Sequence, residues 1–384
     1  MNKPIRLRQF FRSLGIFIRD SIILQGLKNK IQPKTLLIVK LDAIGDYLLF
    51  RNFLEDIRRS KKFSGYRITL CGNMIWKELA EDLDKFNVDE FFWIDKRKFI
   101  TERDYRNNIL KEINSKGFEV AFQPTFSREL ITGDLVILAT QASQRIGSRG
   151  DDANENFHLK KLGDAVYTRL LNKNSKVDFE FEKNKMIVGE FTGEEILRVK
   201  PQLANVPKMK PEHPYAVLFP GAGEEQKRWD PGGFAEVADQ LKTNYNLEIK
   251  IFGAHSDSKI ADEIIEKCIA ARPVNLCGKT NLHELIREIS NAGFLLSNDS
   301  VALHIAACFD VRTVCILNGR HFGRFAPYPS IISPYLHFVF PEKMDELISE
   351  NNSEAVLRTK YRAVDSIQSI TTKKVLKMIE KALK

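Results

Sequence analysis

The sequence predicts an α/β protein made of two similar domains, and three observations carry this. The chain has 384 residues, too many for one ordinary core and enough for two domains of about 150 residues each. Short apolar runs alternate with helical stretches from Thr35 onward, and the alternation starts afresh at Tyr215. That pattern implies parallel sheets covered by helices. Between the two blocks, residues 174–213 turn polar and carry Pro201, Pro207 and Pro211, with Pro214 just beyond, as an interdomain linker would.

In the first block, Thr35–Lys40 reads as a buried strand, followed by the loop Leu41–Asp46 and a helix to about Arg59. Further strands are expected at Tyr66–Cys71, Glu90–Ile94, Phe118–Phe122 and Gln144–Ile146. In the second block they are expected at Tyr215–Phe219, Leu247–Phe252, Val274–Cys277, Phe294–Ser297 and Thr313–Leu317. Asp230 and Pro231 suit an N-cap and first helical position, and Asn281 with Glu284 has capping-box spacing. Ser366–Lys384 reads as a closing helix, and Pro341–Ala363 before it as a polar, mobile loop.

The resulting partition is an N-terminal extension (1–33), a first domain (34–175), a linker region (176–213), a second domain (214–340), and a polar loop with a terminal helix (341–384). Residues 1–31 hold seven basic side chains and one acid, a net +6 of the chain's +9. The basic character thus belongs to the extension, which argues against a nucleic-acid-binding body. Leu7, Phe10, Phe11, Leu14, Phe17 and Ile18 recur at helical spacing, with Arg8, Arg12 and Arg19 on another face. Such a helix either lies on an anionic membrane surface or packs on the body. Arg12, Arg19 and Asp20 interrupt the apolar region a signal peptide would need, and no run reaches the roughly 18 apolar residues of a span. Five cysteines without a C-x-x-C pair read as reduced and buried, with no metal site in the cysteine or histidine spacing.

Four elements carry chemistry. Phe219-Pro220-Gly221-Ala222-Gly223 ends a strand, where glycines let backbone amides approach a phosphate; a plain strand-to-helix turn can hold the same residues. Lys227-Arg228-Trp229 follows, a cation suited to a leaving pyrophosphate beside a Trp that can equally be core. Asn298-Asp299-Ser300 then opens a helix directly after a buried strand, and His304 lies one turn beyond Ser300. In the first block, Asp46 sits at the mouth of the first strand, where a carboxylate serves as a general base or caps a helix. Asp82-Leu83-Asp84 fits the D-x-D pattern of metal-dependent transferases, but at an acidic helix end expected to be exposed it reads as chance.

Together these elements resemble the bacterial heptosyltransferases of glycosyltransferase family 9. The resemblance rests on LLIVKLDAIGD, FPGAGEEQKRW, Gly278–Leu285 (GKTNLHEL) and Asn298–His304 (NDSVALH), in the family's order and spacing, over about residues 34–335 plus the final helix. It implies a GT-B fold, two Rossmann-like domains facing across a cleft. It implies an inverting, metal-independent enzyme that moves heptose from ADP-heptose to a lipopolysaccharide-core or related envelope acceptor, a glycan or glycolipid. It places the general base on Asp46, the phosphate-binding lysine on Lys227, and donor contacts on Gly221, Ala222, Gly223, Asp299, Ser300 and His304. No cofactor, metal or nucleic acid is expected, and the location implied is cytoplasmic, peripheral on the inner face of the membrane.

Arg128 and Arg145 are candidate acceptor contacts, since guanidinium forks suit an anionic sugar. The chain departs from the family at Phe219 (commonly His), Val301-Ala302 (commonly Gly-Pro), Asn318–His321 (usually F-G-x-T) and Phe122-Gln123-Pro124 (usually Asp-Leu-Gln). The last two put sugar and acceptor identity in question. The alternatives are a GT-B transferase or epimerase with another nucleotide sugar, and a non-catalytic nucleotide-binding envelope-assembly protein.

Overall fold

The computed structural model describes residues 3–151, 153–171, 177–203, 206–207, 209, 211–350, 356, 359 and 362–384. The chain divides into two compact units, Met1–Arg198 and Val199–Lys384.

The first unit contains six parallel strands: β1 (Gln32–Lys40), β2 (Arg67–Asn73), β3 (Glu90–Ile94), β4 (Phe118–Gln123), β5 (Gln144–Ser148) and β6 (Arg169–Leu171). Their order is β3-β2-β1-β4-β5-β6. The second unit contains β7 (Tyr215–Phe219), β8 (Glu248–Ile251), β9 (Val274–Asn275), β10 (Phe294–Asn298), β11 (Thr313–Ile316) and β12 (Leu336–Val339), again all parallel. Its order, β12-β11-β10-β7-β8-β9, is the same topology repeated. This is the doubly wound arrangement, with its reversal between β1 and β4 in one sheet and between β7 and β10 in the other.

The apolar runs form central strands because both faces are covered. Leu36 to Val39, Ala216 to Leu218 and Phe294 to Leu296 are all fully buried. Two edge strands, β6 and β12, had no signal strong enough to read: each is three or four residues long, and His337 and Arg169 interrupt the apolar pattern. Asp230 caps the helix Pro231–Tyr245 by accepting from the Gly233 amide, and Asn281 with Glu284 forms the capping box of Leu282–Asn291.

Four readings are corrected. The helix expected to run to Arg59 is two helices, Ile44–Leu48 and Phe53–Arg59, so Asp46 lies in a helical first turn. The segment read as the linker region, 176–213, contains the helix Glu180–Thr192, whose Phe181 packs at a tilt on Phe53 and whose Phe191 stacks on Phe63 and Phe122 of the first unit. The polar stretch 341–363 contains the helix Glu342–Ser349, anchored by fully buried Met344; its residues 351–355, 357–358 and 360–361 lie outside the described residues. Asp84 of the D-x-D pattern is fully buried, where Tyr47 donates to one carboxylate oxygen and Arg51 pairs with the other at 2.8 Å.

The N-terminal segment forms the helix Lys3–Gln25 and docks on the first unit. Leu24 is buried, and fully buried Asp20 pairs with Arg106 at 2.7 Å. Arg106 is itself buried and donates also to the Phe99 carbonyl. Removing one member of a buried pair leaves the other charge uncompensated. Asp20→Ala is therefore expected to destabilise the first unit by about 3 kcal/mol; an unchanged thermal transition would show that the helix adds nothing to the stability of the body.

Candidate functional site

In each unit the candidate residues gather at the carboxyl edge of the sheet, beside the point where strand order reverses. In the first unit, β1 ends in Lys40. This ammonium is fully buried and pairs with Asp42 at 2.8 Å. Thr125, just past the end of β4, donates to the same carboxylate at 2.6 Å, so one side chain spans the reversal. Trp76 Nε1 donates to the Asp42 carbonyl at 3.2 Å, and Asn73 Nδ2 to the Leu41 and Asp42 carbonyls. Trp76 also stacks on Tyr47, with ring centroids 4.3 Å apart. Tyr47 follows Asp46 directly and is held by the buried Asp84–Arg51 pair. The backbone carrying Asp46 is thus fixed on both sides.

Asp46 is the third residue of its helix, and Ala43 occupies the cap position, so the capping role is not the one it plays. Its charge reaches both Lys40 and Lys96. Burial pushes the Lys40 ammonium down, but Asp42, Asp46 and Glu180 outweigh it and hold it above its ordinary value. Lys96, paired with Glu129 at 2.9 Å, is raised for the same reason by Glu129, Asp42 and Asp46 against burial. Burial would raise the Asp42 carboxyl, but Lys40 and Lys96 pull it below the carboxylate range. The site thus holds ionised side chains of both signs beside a strand end.

Neither proposed acceptor arginine is available there. Arg128 is buried between Asp134 (3.0 Å) and Asp164, with its guanidinium over the Tyr167 ring, and these internal carboxylates use its charge. Arg145 is the second residue of β5, toward the amino edge, and donates to the Val166 and Ala142 carbonyls. Lys40, Asp42, Lys96 and Thr125 were not singled out from the sequence. The available signal was a lysine closing the apolar run Leu36–Val39, which burial obliges to find a carboxylate.

In the second unit, the loop Pro220–Gly223 leaves β7. Asn298, at the end of β10, donates to the Pro220 carbonyl at 2.7 Å and accepts from the Trp229 amide, again spanning the reversal. Arg228 donates to the Ala222 carbonyl at 3.1 Å and pairs with buried Asp257 at 3.3 Å. A Cβ on Gly221 would fall 2.2 Å from the Asp257 carboxylate, so any larger residue would displace that buried side chain. A Cβ on Gly223 would meet nothing within 4 Å, so the backbone there is open to a ligand.

Lys227 Nζ lies 2.6 Å from Asp299. Ser300 caps the helix Val301–Phe309 by accepting from Ala302. His304 is buried one turn later, with Nδ1 2.7 Å from the Tyr328 hydroxyl. The structure therefore brings together Gly221, Ala222, Gly223, Lys227, Asp299, Ser300 and His304 at one edge of one sheet. Trp229 is core, 1% exposed, with Nε1 on the Ile370 carbonyl.

The model of glycosyltransferase family 9 (heptosyltransferase) matches residues 107–333, more than half of the chain. The chain belongs to glycosyltransferase family 9. Among curated relatives, the lipooligosaccharide heptosyltransferase 2 of Campylobacter jejuni is 32% identical over 124 residues, 31% of this chain and 39% of the relative. The lipopolysaccharide core heptosyltransferase OpsX of Haemophilus influenzae is 29% identical over 168 residues, 43% of this chain and 47% of the relative. The matched stretches thus span less than half the length of these relatives.

Among solved structures, a family 9 glycosyl transferase from Veillonella parvula has a TM-score of 0.68 at 19% identity, covering 92% of this chain and 98% of its own. The E. coli heptosyltransferase WaaC with ADP has a TM-score of 0.65 at 15% identity, covering 91% and 99%. This likeness shows the fold of the family 9 chain to be GT-B, as expected. Among the described residues, no group of three or more His, Cys, Asp or Glu could hold a metal ion, and no helix is long and apolar enough to cross a membrane.

The His304 imidazole is pushed down to about 4, chiefly by burial, with Asp299 opposing and Lys227 adding to the shift. It is neutral at pH 7. An unfolded histidine titrates near about 6.5, so below that pH the unfolded chain binds a proton that the folded chain refuses. The second unit should therefore lose about 3 kcal/mol of stability through His304 between pH 7 and pH 4. Urea midpoints across this range should fall less steeply in His304→Asn; parallel profiles would contradict the assignment.

Proposed function

We propose that this protein is a glycosyltransferase that moves a sugar, heptose from ADP-heptose, onto a lipopolysaccharide-core or related envelope acceptor. The observation that carries the reading is the second unit's strand-order reversal. There a glycine loop with one open position, the Lys227–Asp299 pair, a capped helix start and a buried histidine share one sheet edge. Such a place suits a nucleoside diphosphate. The relatives that match are named heptosyltransferases, and the WaaC structure is named as holding ADP.

In this reading Asp46 removes the proton from an acceptor hydroxyl. The oxygen bonds to the anomeric carbon from the face opposite the nucleotide, which inverts that centre. The bond from that carbon to the diphosphate oxygen breaks, and its electron pair leaves with the diphosphate. Lys227 supplies positive charge to the departing group, while neutral His304 supplies a hydrogen bond. Side chains alone serve these roles, so the reading requires no metal.

A positioned general base contributes typically about 10²–10⁴-fold in rate. Asp46→Asn should lower turnover of ADP-heptose by about that factor and leave ADP affinity unchanged. Lys227→Ala should weaken ADP binding about tenfold or more, measured by calorimetry, as loss of a charged hydrogen bond does. Full turnover by Asp46→Asn would remove it as the base. Product analysis with UDP- and GDP-sugars beside ADP-heptose tests the donor.

The N-terminal helix supports a second part of the reading, contact with an anionic membrane face. Phe11, Ile18 and Ile22 are 61%, 51% and 63% exposed, on a helix whose Asp20 and Leu24 face the body. Arg8 and Arg12 are exposed with them. Apolar side chains ringed by cations suit an anionic lipid surface. The protein should co-sediment with vesicles containing phosphatidylglycerol and not with pure phosphatidylcholine, and Phe11→Ser with Ile18→Ser should abolish this. Unchanged sedimentation of the double variant would rule this surface out.

A further inference from the structure

The loop after β11, residues 318–324, leaves the same carboxyl edge as the glycine loop and Asp299, yet no role has been assigned to it. It is also where the sequence departs from the family pattern. Asn318 Nδ2 donates to the Gln226 carbonyl at 3.0 Å, which ties this loop to the turn that carries Lys227. Arg320 pairs with Glu224 at 2.5 Å, a second tie to the glycine loop.

His321 follows with φ 58°, in the left-handed region that a residue bearing a Cβ seldom adopts. The turn is held there by its amide on the Thr359 carbonyl and by the Arg324 amide on its own carbonyl. Backbone of this kind persists where the surroundings over-determine it, often at ligand sites.

The side chain so placed makes little sense as packing. The ring is half-buried, and its Nδ1 is buried with no hydrogen-bond partner among the described residues. A buried polar atom left unpaired is costly and calls for an explanation. Lys227, Arg320 and Arg324 all bear on the ring, with Asp299 as the opposing charge. Burial first, and then these cations, push its pKa down to about 4, so at neutral pH it adds a hydrogen-bonding group and no charge. An imidazole set among three cations is suited to a polyanion: the cations draw the anion in, and the ring offers a directional bond that they do not fix.

We propose that His321 is a further donor-binding residue, hydrogen-bonding a phosphate oxygen of the nucleotide diphosphate beside Lys227, with Arg320 held alongside by Glu224. This rests on the reading of the glycine loop and Lys227 as the diphosphate site. Because an alanine would strain the left-handed backbone, His321→Gly is the variant that removes the ring alone. His321→Asn tolerates the same backbone and retains an amide donor.

Calorimetry with ADP on the full chain should show His321→Gly binding about tenfold more weakly than the parent and His321→Asn recovering part of the loss. The ligand-free thermal transition should be unchanged in both. Parent-like ADP affinity in His321→Gly overturns the inference, as does a lowered ligand-free transition with equal losses in the two variants, which would mark a structural role. Where Lys227→Ala still weakens ADP, the diphosphate-site reading survives that result. Where neither substitution alters ADP binding, or the parent binds none, both fall.

Discussion

Both sheets depend on the same constraint: at the point where strand order reverses, two neighbouring loops depart in opposite directions and leave polar groups to be satisfied. In each unit one side chain closes this gap. The Thr125 hydroxyl reaches Asp42 in the first, and the Asn298 amide reaches the Pro220 carbonyl in the second. The backbone polar groups there are buried enough to require partners. The positions of Lys40, of the glycine loop and of the Lys227 turn follow from these two bridges. A crevice whose floor is pinned in this way offers fixed donors and charges without reorganisation when a ligand arrives.

The first unit carries the constraint further by burying charge. Lys40 lies wholly inside, and Asp42, Asp46 and Glu180 together outweigh its desolvation. A hydrophobic pair of similar size would hold the strand end at least as well. Beneath it, Tyr47, Arg51 and Asp84 form a second buried polar cluster directly under the Asp46 turn. The two clusters leave the short helix Ile44–Leu48 little freedom, as the proposed role of Asp46 as a base would require.

Much of this was legible because its causes are local. Strand runs and caps such as Asp230 and Asn281 are decided by neighbouring residues, and they fall where periodicity and capping rules put them. The grouping of Gly221, Lys227, Asp299 and His304 was legible through the order of strand ends. What escaped reading was decided by contacts distant in sequence. Arg128 and Arg145 look like surface cations until Asp134, Asp164 and the Val166 carbonyl close on them. Asp84 looks like an exposed helix end until Arg51 and Tyr47 meet it. Helix Glu180–Thr192 has weak periodicity because it is buried on several sides, and Lys183 and Asn184 interrupt its apolar face.

In the second unit the cations beside the glycine loop rest on carboxylates. Lys227 rests on Asp299, Arg228 on Asp257 and the Ala222 carbonyl, and Arg320 on Glu224. Each of these three cations has its own carboxylate, so its charge is compensated within the unit. In the proposed function, a diphosphate would compete with these carboxylates for the same donors. It offers more acceptor oxygens and more charge than any one of them, so the exchange can favour it while keeping the cations oriented. His304 carries no charge into this exchange: Tyr328 lies on its Nδ1, and burial keeps it uncharged beside Asp299 and Lys227. Charge at this edge thus comes from flexible, pre-paired lysine and arginine side chains, while direction comes from a rigid neutral ring on a helix. In the proposed reading, that division would let a diphosphate leave, because no single group would hold it both by charge and by fixed geometry.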